Sequence, residues 1–199
     1  MKRISILLLL LSLQGCSLFY PQPKQNFYAL SVPHPGSSGS VTGPVLCVTL
    51  LQINPLYENQ GFVYHLSDSR TESDYYHLFL TAPEINITEQ MKAWLRKSGH
   101  FHTVTGSDQL SGAAWILSGH IDTLYGDFTN PRQPVAVVAI RLYLTSNSGL
   151  TPESRISIGH FEKRVPLTEN SPKGLIVAWN KALSEIFSEM EHPLVSAMQ

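Results

Sequence analysis

The sequence predicts an α+β fold, a mainly antiparallel sheet with two amphipathic helices packed on one face. Three observations lead there. Segments 114–125, 135–145 and 155–165 follow one another closely with the alternation of strands, as a meander does. Ile87, Met91, Trp94, Leu95 and Ser98 share one helical stripe. Leu175, Ile176, Trp179, Ala182, Leu183, Ile186, Phe187 and Met190 repeat that period near the C-terminal end.

Residues 1–15 have the order of a lipoprotein signal peptide: Lys2 and Arg3, an apolar run from Ile4 to Leu13, then Gln14 and the small residue Gly15 before Cys16. Cleavage between Gly15 and Cys16 would leave Cys16 as the acylated first residue. About ten apolar residues make roughly 15 Å of helix, half of what a bilayer core requires. Each buried methylene of an attached chain contributes about 0.8 kcal/mol, so two or three chains on Cys16 anchor stably where one holds marginally. Ser17, in place of an aspartate, points to the outer membrane with the body facing the periplasm.

Residues 16–25 read as a lipidated tether, kept extended by Pro21 and Pro23. One domain over 26–192 and a tail over 193–199 follow. The chain has 14 Lys and Arg against 15 Asp and Glu, a net charge of −1. Without Lys2 and Arg3 the balance is about −3, with no basic field for nucleic acid. Cys47 is the other cysteine, so with Cys16 acylated no internal disulfide forms. Its apolar run predicts a buried, inert thiol.

Asn26 to Val32 alternates as a first strand, and the Pro, Gly and Ser of 34–43 predict a loop. Pro44 to Ile53 reads as one near-continuous central strand covered on both faces. Phe62 to Leu66 and Tyr75 to Leu80, joined by a polar turn over 67–73, predict a hairpin. Asn86 as cap, Glu89 three residues on and Gly99 at the far end bound the first helix. Phe101 to Val104 is a short strand ahead of the meander. Ser171-Pro172 opens the last helix and His192-Pro193 ends it.

Candidate chemistry is sparse. The eight histidines show no metal-ligand spacing, so neither metal nor cofactor is expected. His120 and Asp122 share a strand face and could orient an imidazole, but no Gly-x-Ser-x-Gly elbow accompanies them. The chain is therefore expected not to be an enzyme. Asn86-Ile87-Thr88 matches a glycosylation acceptor and reads instead as the helix opening. Tyr75 and Tyr76 could form a binding patch or pack across strands.

Further matches lie in Phe27-Tyr28-Ala29-Leu30, Val63-Tyr64-His65, the stretch Tyr75 to Pro83, Phe101-His102-Thr103-Val104 and Ala178-Trp179-Asn180-Lys181-Ala182-Leu183. In that order after Cys16, the chain resembles the ABC-type transport auxiliary lipoprotein family, which includes the paraquat-inducible protein C type of component. His65 and Phe79 depart from the arginine and tryptophan usual there. The resemblance implies a non-catalytic, membrane-anchored envelope component working with an MCE-domain protein and an ABC permease and ATPase in lipid transport. No Walker A motif is present to supply ATP hydrolysis. The resemblance leaves self-association open. A lipid-anchored periplasmic hydrolase using His120 and Asp122, or a structural assembly lipoprotein, are the alternatives.

Overall fold

The structure is a computed structural model describing residues 24–36, 43–148 and 154–199. The signal peptide, with Gly15 and Cys16, and most of the tether lie outside the described residues, as do most of the 34–43 loop and Gly149. Within the described residues, nine strands form one sheet and two α-helices, α1 (Pro83–Lys97) and α2 (Pro172–Ser196), pack on it.

The expected meander is the frame. Strands β7 (Trp115–Phe128), β8 (Val135–Ser146) and β9 (Arg155–Pro166) pair antiparallel along their lengths. Ala136, Val138, Ile140, Leu142 and Leu144 of β8 are completely buried beneath the helices. The opposite face carries Arg141, Tyr143 and Thr145, as the alternation predicts. Gly119 lets β7 and β8 close, because a Cβ there would meet the Arg141 carbonyl at 2.6 Å.

The other edge of β7 is divided among three short parallel partners: β2 (Val45–Val48), β3 (Gln52–Ile53) and β4 (Gly61–Leu66). Strand β6 (Thr103–Thr105) continues beside β2, while β5 (Thr71–Phe79) pairs antiparallel with β4 and β1 (Asn26–Tyr28) lies parallel to β5. The sheet is thus antiparallel in its long meander and in the β4–β5 hairpin, and parallel in its other short joins.

Several elements differ from expectation, each for a local reason. The first strand stops at Tyr28 because the chain turns to the helices, where Asn180 Oδ1 accepts from Ser31 N and Gln90 Oε1 from Val32 N. Its alternation persists, with Leu30 and Val32 buried and Ala29 and Ser31 exposed. The 44–53 strand is two pieces. Between Val48 opposite Leu117 and Gln52 opposite His120 it holds one residue more than β7, and Thr88 Oγ1 accepts from Leu51 N in the gap.

Helix α1 starts at Pro83, ahead of Asn86, with Ala82 as a cap whose side chain cannot bond. Proline at the first position supplies the start that the Asn86 and Glu89 pattern suggested three residues later. Gly99, at φ 78°, closes the helix as expected. Helix α2 opens at Ser171, whose Oγ accepts from Gly174 N at 3.0 Å. It runs past Pro193, because fully buried Leu194 holds the last turn in the core.

Trp94 of α1 meets Phe187 of α2 edge-on, with ring centroids 5.7 Å apart. Trp179 of α2 lies against Phe62 of β4 and Phe79 of β5, and its indole N–H donates to the Tyr125 carbonyl at 3.3 Å. Burial of each such side chain contributes about 2–3 kcal/mol, so these contacts tie both helices to the hairpin side of the sheet.

Candidate functional site

Two surface regions hold the residues singled out in the sequence. The first is the edge formed by β1, β5 and β4. Gln25 Nε2 donates to the Tyr75 carbonyl at 3.1 Å, and Leu80 N to the Tyr28 carbonyl at 2.7 Å, so both ends of β1 are fastened to β5 and the turn after it.

Strand β5 bulges here: Gly61 of β4 faces Leu78, yet Val63 faces Ser73. Asp74 organises the bulge. Its carboxylate accepts from Tyr76 N at 2.7 Å, His77 N at 3.1 Å and the Tyr64 hydroxyl at 2.9 Å, and contacts His77 Nδ1 at 2.7 Å. Burial alone would raise the Asp74 pKa, but the donors outweigh it and hold the carboxyl below its usual range. Burial and the neighbouring carboxylate push the Tyr64 phenol up, so it remains a donor.

The bulge turns Tyr75 and Tyr76 outward. They are 67% and 44% exposed, with rings 5.3 Å apart. Of the two readings for this pair, an outward patch is the one found, and cross-strand packing falls instead to Tyr28, Phe62 and Phe79. Phe27, Tyr75 and Leu78 line a depression of about 510 Å³ with Gln25, Asn59 and Gly61. Alternation from Tyr28 would have placed Phe27 outside, but the bulge at Asp74 has no sequence signature beyond an aspartate before two tyrosines.

The second region is the sheet face away from the helices. His120 Nδ1 lies 2.8 Å from Asp122 Oδ1, as their shared strand face predicts. A bulge follows at the same place: Ile121 pairs with Ile140 but Thr123 with Ala139, leaving Asp122 as the extra residue and turning Leu124 into the core, opposite to simple alternation. Arg141 then grips both Asp122 oxygens, at 2.6 and 2.5 Å, and His160 Nε2 stands 3.5 Å away. Burial pulls the Asp122 pKa up, but the Arg141 and His120 bonds prevail and keep it low. Asp122 is thereby shared between an imidazole and a guanidinium, an arrangement suited to fixing side chains on a solvated surface.

Cys47 is completely buried, and its thiol points to the Gly106 carbonyl at 3.4 Å. Burial pushes its pKa up, away from the reactive thiolate. Asn86 Oδ1 is buried without a hydrogen-bond partner, in the first turns of α1, rather than displayed on a loop. Among the described residues, no group of three or more His, Cys, Asp or Glu side chains is arranged to hold a metal ion, and no helix is long and apolar enough to cross a membrane.

No family profile and no curated protein sequence matches the chain. Solved structures do. Protein XCC0632 from Xanthomonas campestris, assigned to the family DUF330, superposes with a TM-score of 0.70 at 12% identity, over 87% of this chain and 97% of that one. A second crystal structure, of an uncharacterized protein, gives 0.66 at 11% identity, over 86% and 99%. The likeness spans almost the whole of both relatives, so the fold is a recurring one, shared with the DUF330 protein.

Proposed function

We propose that this chain is a non-catalytic auxiliary lipoprotein, anchored through acylated Cys16 in the bacterial envelope, as part of an ABC-type, MCE-linked lipid transport system. The carrying observation is the signal-like run that ends at Cys16, ten residues ahead of the first strand at Asn26. A fold shared over its length with a DUF330 protein supports a body that works as one unit. The ordered sequence matches described above supply the link to the transport family. In this role the acyl chains hold the body at the outer membrane, facing the periplasm. Tethering raises the local concentration of a weakly bound MCE-domain partner, while a separate permease and ATPase supply the energy.

The test has two parts. Mass spectrometry of the mature N-terminus should find a diacylated or triacylated Cys16. Affinity capture from detergent-solubilised envelopes should recover an MCE-domain protein. An unmodified N-terminus, or repeated capture without any MCE-domain protein, would sink the proposal.

The 2.8 Å contact between His120 and Asp122 is the observation that favours a lipid-anchored hydrolase. Arg141 competes for that same carboxylate. Replacing His120 and Asp122 together by alanine should leave envelope function intact; loss of a hydrolytic activity with the protein still folded would favour the enzyme.

A further inference from the structure

We infer that the edge carrying Phe27, Tyr75, Tyr76 and Leu80 rests on the bilayer surface itself, orienting the body on the membrane that holds its anchor. The inference builds on the proposed acylation of Cys16. Phe27 is 54% and Leu80 60% exposed; with Tyr75 and Tyr76 they lie on β1, on β5 or one residue past it, at one edge of the sheet, and Phe27 and Tyr75 line the same depression. Large apolar side chains exposed together are unusual on a monomer surface and mark a contact site.

The length of chain ahead of the body selects the occupant. From Cys16 to Lys24 there are eight residue steps, at most about 29 Å when fully extended. Leu18, Phe19 and Tyr20 beside Cys16 are residue types that favour the membrane interface. With those three in the interface, only the steps from Tyr20 to Lys24 remain, about 14 Å. The chain then passes into Gln25, which is bonded to the Tyr75 backbone, so the leash ends on the patch.

The chemistry agrees. Tyrosines with an apolar ring and a polar tip suit the headgroup level, and exposed Lys24 beside them suits lipid phosphates. The bonds that Asp74 receives from Tyr76 N and His77 N fix the bulge that projects the tyrosines, so little ordering is needed on contact.

The opposite edge is the natural reference. From β1 across β5, β4, β7 and β8 to β9 there are five strand spacings, about 24 Å. Exposed Glu162 of β9 therefore stands off the membrane.

The experiment uses the full acylated protein in phosphatidylethanolamine and phosphatidylglycerol vesicles containing lipid with a headgroup nitroxide. An environment-sensitive fluorophore is attached in Asn59→Cys, which lines the depression and leaves the four apolar side chains in place, or in Glu162→Cys. Acylated Cys16 and buried Cys47 do not compete for the label. The Asn59 site should be quenched at least about twofold more than the Glu162 site. Adding Phe27→Ser, Tyr75→Ser and Leu80→Ser should remove that excess while circular dichroism stays unchanged. Equal quenching at both sites, with Cys16 acylation confirmed by mass on the same sample, overturns this inference alone and assigns the patch to protein docking. An unacylated Cys16 overturns the inference and the proposed function together.

Discussion

Asp74 shows how one carboxylate can decide a local shape. Two backbone N–H groups, a phenol and an imidazole converge on it. Asp74→Ala removes a partly buried acceptor and should destabilise the protein by about 1–3 kcal/mol in urea titration, with Tyr75 and Tyr76 losing their fixed orientation. The pH dependence has a definite sign. A carboxyl held below its usual 3.8 contributes stability above that value and loses it as pH falls through the lowered pKa. Asp122 and Asp127 behave alike. Acid titration of the Asp74→Asn variant should therefore show a shallower loss of stability below about pH 4 than the parent chain. The sequence displays each of these aspartates, but which donors reach them depends on two bulges and on neighbouring strands.

At the scale of elements, local rules and tertiary contacts contribute in different proportions. Gly99 was legible from sequence as a helix stop, and its φ of 78° explains why: a side chain there is strained. Gly99→Ala should lower stability by about 1 kcal/mol, read from the urea midpoint. The buried stripe of α2 was equally legible, since Trp179 lies on the expected face. Trp179→Ala should cost about 3–5 kcal/mol and lower Tm, because Phe62, Phe79 and the Tyr125 carbonyl would line the resulting cavity. By contrast, the split of 44–53 into β2 and β3 was hidden. Every residue from Val45 to Val48 is apolar enough for a continuous strand, and the interruption comes from a mismatch with β7 and a bond from Leu51 to Thr88. The end of α2 was hidden in the same way, because burial of Leu194 offsets the helix-breaking tendency of Pro193.

For the whole molecule, a single buried cluster runs from Leu30 through the meander to Leu194, joining both helices to strands on either side of β7. Far-ultraviolet circular dichroism and tryptophan fluorescence should therefore report one coincident urea transition, since the described residues share this one core. Periodicity by itself determined the α+β class, the antiparallel meander and the buried faces of both helices, because each follows from side-chain alternation within a continuous segment. Tertiary structure decided the parallel joins of β2, β3 and β4 to β7, the bulges at Asp74 and Asp122, and the gathering of Phe27, Tyr75, Tyr76 and Leu80 at one edge. Those features depend on register between segments far apart in the chain, and register is set by how strands fit together rather than by any one strand's residues.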